Sequence, residues 1–264
     1  MPAQPALAPT SVPPARKADL IEGFITGLAA ILAFSDATPH MTPSALALEL
    51  GISRAAARRY LITLAHAGYA ANDGRQYWLT PKVLALGRSY MGSARLPRTA
   101  RPYLQRITAS VQESSNLALL DGHEVVYAAS ANVSRLMSTM IEPGTRLPAH
   151  ATAAGRVILA GLPKSTFDAW LADTELTGFT PHTVTSKRTF AAEVAATRTT
   201  GFSAVESHFE VGLRGIAVPL YARDGSVSGA IGISMSTSTS SIKEATKRCV
   251  PVLREAAEEL RNLI

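Results

Sequence analysis

Thr42-Pro-Ser-Ala-Leu-Ala-Leu-Glu-Leu-Gly51, followed after Ile52 by Ser53-Arg-Ala-Ala-Ala-Arg-Arg-Tyr-Leu-Ile-Thr-Leu64, decides how this chain is read. Thr42 suits a helix N-cap and Pro43 the first helical position. Gly51 is the residue expected just past a helix end, where the backbone turns left-handed. Ser53 then caps a second short helix. Its apolar face is Ala57, Tyr60, Leu61 and Leu64, so Ser53, Arg54, Ala55, Arg58 and Arg59 are expected on or near the outer side of its first turns. Ala55 and Ala56 are small enough to let another backbone approach closely.

The flanks extend the pattern. Upstream, Ile21, Phe24, Ile25, Leu28, Ile31 and Leu32 recur at helical spacing and are expected to form one buried face; Gly23 and Gly27 weaken that helix but permit close approach. Downstream, Asn72-Asp73-Gly74 is strong turn chemistry between Tyr69 and Tyr77-Trp78, which predicts a hairpin with Arg75 at its tip. Pro81 opens a further helix running to about Ala94. Helix, short helix, turn, helix and two-stranded wing is the order of a winged helix-turn-helix. An exposed helix N-terminus bearing arginines can enter the major groove of duplex DNA, donate N–H groups to phosphate and fork onto guanine. Thr42, Ser53, Arg54, Ala55, Ala56, Arg58, Arg59 and Arg75 are therefore the expected DNA-facing residues. A solvated face would explain three arginines on an isolated helix; the Gly51 turn and the basic wing favour nucleic acid. Arg59 either anchors the domain from inside or grips phosphate.

Composition bounds the rest. The 264 residues carry 26 Lys+Arg against 20 Asp+Glu, with nine against five in residues 1–95 and 17 against 15 thereafter. The positive excess thus lies mainly in the first third. Apolar residues make up 47%, enough for a real core, and the length suits two domains. A single cysteine, Cys249, excludes an internal disulfide and a multi-thiolate metal site. The expected compartment is a reducing cytoplasm, with no membrane span. No cofactor or metal site is expected, and no enzyme: His123-Glu124 lacks the second histidine of a zinc motif, and Ser240-Ser-Ile-Lys243 is a four-residue string without partner motifs.

Residues 1–17 hold five prolines among Ala, Gln, Ser and Thr and are expected to be a flexible arm. The winged helix-turn-helix is expected over 18–80, a linker helix over 81–95 and a second domain over 96–264. That domain reads as a helix from Pro102 to Glu113; strands at Asn116–Leu120, Glu124–Ser130 and Arg135–Ile141; helices at Thr152–Leu162, Ser165–Ala172 and Phe190–Thr200; strands at Ser203–Ser207, Gly215–Tyr221 and Ser226–Ser236; and a closing amphipathic helix in which Pro251 makes a kink or a start. The class is α+β, a sheet with helices packed on it.

These motifs, in this order, resemble the IclR family of bacterial transcriptional regulators, over nearly the whole length from Asp19. The likeness is carried by Leu50-Gly-Ile-Ser-Arg-Ala-Ala-Ala-Arg-Arg-Tyr-Leu61, Gly68-Tyr69, Leu79-Thr-Pro81 and Leu84-Ala-Leu-Gly87. In the second domain it is carried by Gly144-Thr-Arg-Leu-Pro-Ala-His-Ala-Thr-Ala-Ala-Gly-Arg156, Gly201-Phe202 and Gly212-Leu-Arg-Gly-Ile-Ala-Val-Pro219. The branch most resembled is the Pca/Pob type that controls aromatic-acid catabolism. The resemblance implies a winged-helix reader joined by the linker helix to a GAF-like α/β effector-binding domain. It further implies a homodimer or dimer of dimers on a pseudo-palindromic operator in double-stranded DNA, and a small organic acid, aromatic in this branch, as effector. The sequence departs from some relatives at Gly215 and Gly232, where a cysteine or polar residue lines the pocket, and in the apolar segment Ala151-Thr-Ala-Ala-Gly155. A module whose winged helix no longer reads DNA is the alternative.

A carboxylate needs oriented donors, and the N-terminus of the helix beginning near Thr152 supplies them through Thr152, Ala153 and Ala154. Leu136, Met140 and Leu147 are the expected apolar wall. Glu206, His208, Leu213, Gly215, Gly232 and Ser234 are expected across the pocket, matching family positions, with Ser234 or His208 on a ring hydroxyl. Thr152 is either a ligand contact or a plain N-cap; the leucines and Met140 are either wall or core; the two glycines serve either the pocket or sheet packing. Arg146 and Arg156 are candidate carboxylate partners, and Arg214 reads as structural.

Overall fold

The computed structural model describes residues 16–133 and 141–263, which divide into two units at Ser93/Ala94. The arm expected over 1–17 lies almost wholly outside the described residues, as do Leu136, Met140 and nearly all of the strand expected at Arg135–Ile141.

The smaller unit is built by its caps. Helix α1 (Glu22–Leu32) is followed by α2 (Pro43–Leu50), whose N-cap Thr42 accepts the Ala45 N–H at 3.2 Å. Gly51 ends α2 at φ 63°, and Ser53 caps α3 (Arg54–His66) by accepting the Ala56 N–H at 3.2 Å. Strands β1 (Ala70–Asn72) and β2 (Tyr77–Leu79) pair antiparallel, and Met41 bridges to Tyr77, tying the wing to the helices. A 3-10 turn at Pro81–Val83 leads into α4 (Leu84–Ser93). Ala30, Met41, Leu46, Ala57, Leu61, Leu64, Ala70 and Tyr77 form the core.

Helix α1 turns the opposite way from the sequence expectation. Its large apolar side chains face out, with Phe24 66% and Leu32 82% exposed, while Ala30 is buried and Gly23 and Gly27 lie over the Tyr60 ring of α3. Small residues let α3 come close, so they form the inner face, and Ile21, Phe24, Ile25, Leu28 and Leu32 are left as an uncovered apolar stripe.

The larger unit opens with α5 (Arg95–Val111), which begins seven residues before the expected Pro102. Pro102 sits inside it; the lost backbone bond is offset by burial of Ala100, Leu104, Ile107 and Val111. Then follow β3 (Ser114–Asp121), β4 (Glu124–Ala131), β5 (Arg146–Pro148), α6 (Ala153–Gly161), α7 (Lys164–Asp173), α8 (Lys187–Thr200), β6 (Ser203–Glu206), β7 (Leu213–Tyr221), β8 (Val227–Ser236) and α9 (Ile242–Arg261). The six strands form one antiparallel sheet in the order β5-β4-β3-β8-β7-β6. Helices α5 and α9 cover one face, and α6, α7 and α8 the other, each with its own apolar cluster. A capping box, Ser241 with Glu244, sets the start of α9, so Pro251 lies within a continuous helix rather than beginning it.

Two glycines make the α6 layer possible. A Cβ on Gly155 would lie 2.0 Å from the Ala149 carbonyl oxygen, and one on Gly215 3.3 Å from the Ala153 Cβ. The first turn of α6 therefore packs directly onto the preceding turn and onto β7.

Candidate functional site

The smaller unit presents a charged helix face. Ser53, Arg54, Ala55, Arg58 and Arg59 are exposed, whereas Thr42 and Ala56 are half-buried as cap and cap partner. Arg59 points to solvent, which leaves it free to meet phosphate and sets aside its internal-anchor alternative. Arg75 is exposed at the wing tip, in a turn closed by Asp73, whose carboxylate accepts the N–H groups of Arg75 and Gln76 at 2.9 and 2.7 Å. Those bonds hold the Asp73 carboxyl below its ordinary range. Among the described residues, no carboxylate pairs with Arg54, Arg58, Arg59 or Arg75. Four exposed guanidiniums without a carboxylate partner, three on the first two turns of α3 and one on the wing, are suited to a polyanion.

The larger unit holds a half-open cavity between the start of α6 and the sheet. Leu147, Thr152, Ala153, Ala154, His208, Leu213, Gly215, Gly232 and Ser234 all line it, as expected. Glu206 does not: its carboxylate turns onto Arg214, accepting from Nε at 2.8 Å. Arg214, fully buried, also donates to the Ser240 carbonyl at 2.7 Å and to the Ser240 hydroxyl at 3.3 Å. It locks β7 to the chain before α9, and it occupies the serine of the Ser-x-x-Lys string. Arg146 is spent at the sheet edge on Asp121 and Glu124.

Thr152 is a true N-cap, accepting the Gly155 N–H at 3.0 Å and donating to the Ala149 carbonyl at 3.3 Å. The N–H groups of Ala153 and Ala154 belong to the first helical turn, where no intrahelical acceptor exists, and both residues border the cavity. Across from them, Asn116 of β3 donates to the Ser234 hydroxyl at 3.1 Å. Tyr127 of β4 also lines the space, and burial alone pushes its phenol well above the ordinary tyrosine range. His208 is lowered to about 4, first by burial and then by the charges of Arg156, His182 and His150. The cavity volume is ≈ 40 Å³, smaller than the roughly 150 Å³ that accepts a benzene ring.

Asn116, Tyr127 and Phe209 were not singled out from the sequence, yet they border the same cavity. A signal existed for two of them: Asn116 interrupts a run that is otherwise small or apolar, and Tyr127 falls on the inward side of a strand alternation. Among the described residues no cluster of His, Cys, Asp or Glu could hold a metal, and no helix is long and apolar enough to cross a membrane.

Comparison with known proteins places both halves. Residues 88–262 match the family model described as bacterial transcriptional regulator IclR C-terminal, and residues 27–74 the IclR helix-turn-helix domain. The Pca regulon regulatory protein of Pseudomonas putida is 38% identical over 98% of this chain and 92% of its own. A crystal structure of a putative transcriptional regulator from Rhodococcus sp. RHA1 superposes with a TM-score of 0.81 at 37% identity, covering 92% of this chain and 98% of that one. The inducer-binding domain of the PobR transcription factor from Acinetobacter, a double mutant in complex with 3-hydroxybenzoic acid, is 30% identical. It covers 65% of this chain and all of that one, with a TM-score of 0.61.

Proposed function

This chain belongs to the IclR family of bacterial transcriptional regulators, and on that premise we propose that it switches genes of aromatic-acid catabolism in response to a small aromatic carboxylic acid held in the α6 cavity. The observation that carries the reading is the cavity itself: the free N–H groups of Ala153 and Ala154 at one side, and the polar groups of Asn116, Tyr127, Thr152, His208, Arg214 and Ser234 set among apolar lining residues. Helix N–H groups suit a carboxylate; the scattered hydroxyl, amide and imidazole suit a ring substituent. An aromatic acid needs more than the present ≈ 40 Å³. It therefore favours a widened arrangement, and that differential affinity is what a ligand requires to shift a protein between two states.

DNA is read by Arg54, Arg58 and Arg59 of α3, with Ser53, Ala55 and Ala56 at its N-terminus, Thr42 behind them and Arg75 from the wing. Residues 18–80 form the reader, 81–95 the link and 96–264 the sensor. The functional unit is a homodimer or a dimer of dimers in the cytoplasm, on a pseudo-palindromic operator. The uncovered stripe of Phe24, Ile25, Leu28 and Leu32 on α1 is where a second copy sits, because a patch this apolar is unfavourable in water. Phe24→Asp with Leu28→Asp is expected to give monomers in sedimentation; unchanged dimers contradict that placement. Calorimetry with hydroxylated benzoates tests the effector: saturable heat is expected, and its absence for the whole series removes the reading.

A further inference from the structure

Behind the cavity lies a charged group that does not line it. The Arg156 guanidinium, 6% exposed, is held from three sides: Nη1 lies 2.6 Å from Glu193 Oε2 of α8 as an ion pair off the hydrogen-bond line, the Phe190 ring lies under it at 5.7 Å, and Nη2 lies 2.9 Å from His208 Nδ1. A guanidinium has donors and no acceptors. The His208 Nδ1 facing it is therefore an unprotonated acceptor, and the ring proton is on Nε2. The ring is also fixed through its backbone, since Thr183 donates to the His208 carbonyl at 2.6 Å and Thr180 to the Ser207 carbonyl at 2.5 Å. Among the described residues no acceptor takes the Nε2–H, and His208 borders the cavity.

We propose that Arg156 is a positioning residue for effector recognition: it holds His208 in the Nε2–H tautomer, so that a neutral imidazole with a guanidinium behind it donates one hydrogen bond to the acid in the cavity. This rests on the effector reading above and goes further, because it places the recognising cation out of the ligand's reach and makes it act through a ring. A neutral donor binds an anionic oxygen without competing for its proton, and the charge behind it strengthens the bond.

The groups facing His208 support that state over a wide pH range. From α6 there is Arg156, with Glu193 of α8 beyond it; from the turn before α6, His150; from the loop before α8, His182; and the sheet brings Tyr127 and Arg214, paired with Glu206, to the same cavity. Burial first, and then the charge of Arg156 with smaller contributions from His182 and His150, keep the ring unprotonated. Without Arg156 the second of the causes that lower the ring is gone while burial stays, so the imidazole takes up a proton at a higher pH than in the wild type, and an imidazolium then attracts the carboxylate directly.

The test is calorimetric titration of the full chain with 4-hydroxybenzoate between pH 5.5 and 8, for the wild type, Arg156→Met and Arg156→Met/His208→Phe. The wild type is expected to bind with nearly constant affinity. Arg156→Met is expected to bind roughly tenfold more weakly at pH 8, the scale of one charge-assisted hydrogen bond, and to recover in part towards the acid end of that range. The double variant is expected to stay weak throughout. Wild-type affinity and a flat profile in Arg156→Met overturn the proposal while the effector reading stands; no heat from the wild type overturns both. Ring-nitrogen NMR of the histidine-labelled wild type, with His208 assigned by its loss in His208→Gln, needs no folded Arg156 variant: the Nε2–H tautomer at pH 7 is expected, and the Nδ1–H tautomer overturns the proposal.

Discussion

Arg54, Arg58 and Arg59 stand in water along the first turns of α3, whereas Arg156 and Arg214 are enclosed in the sheet domain, each beside a glutamate. The first group has no partner carboxylate among the described residues, so its charge is available to a polyanion that brings its own counter-charge. The second group has been taken out of water, which is tolerated only because Glu193 and Glu206 compensate it. The same residue type is thus left open to an outside anion in one unit and locked into the packing in the other. Exposure and pairing, rather than charge count, separate the two uses.

The sharpest way to break this contrast is at the exposed end. Arg54→Ala with Arg58→Ala is expected to weaken operator binding by about 30-fold or more, since each groove contact is worth about 1–3 kcal/mol, and to leave acid binding intact. Gel-shift titration checks it, and unchanged DNA affinity would reduce these arginines to a solvated face. At the enclosed end, Gly155→Ala drives a methyl against the Ala149 carbonyl. A loss of about 3 kcal/mol in denaturant unfolding is expected for such overpacking, with acid binding impaired because the first turn of α6 moves. Thr152→Val removes the cap on Gly155 at a cost of about 1 kcal/mol and is expected to weaken acid binding several-fold through the disturbed N–H groups. Stability lost with unchanged calorimetric affinity would make Thr152 a cap alone.

The smallest effect is one of pH. His208 and His150 are both lowered in the folded chain, chiefly by burial. Below the ordinary imidazole value the unfolded chain takes up protons that the folded chain does not, so stability is full above about 6.5 and declines as pH falls towards 4. His208→Gln is expected to flatten part of that decline in thermal melts; an unaltered decline would assign it to other groups.

The two regions also differed in how far they could be read before folding. The reader is local: Thr42, Gly51, Ser53 and the Asn72-Asp73-Gly74 turn act within a few residues of where they stand, so caps and periodicity located α2, α3 and the wing. Periodicity could say that α1 has an apolar stripe, but not which way it faces, because the inner face is set by Tyr60 packing over Gly23 and Gly27. The cavity joins Asn116 to Ser234 across 118 positions and borrows Tyr127 from a third strand. The helix-start donors were legible as a cap sequence, and the floor of the pocket through family likeness. The Arg156–His208 contact depends on side-chain packing between α6 and the turn after β6, for which spacing carries no signal. Glu206 was misplaced for a related reason: its strand position is right, but the neighbouring Arg214 claims its carboxylate.

The central claim is that one chain couples acid in the α6 cavity to DNA on α3. Its most direct test is the affinity of the full-length protein for an operator selected from random-sequence DNA, measured at fixed salt with and without saturating 4-hydroxybenzoate. A change in dissociation constant of about 5–150-fold, the usual range of allosteric coupling, is the expected result. Acid that binds by calorimetry yet leaves operator affinity unaltered would contradict the account.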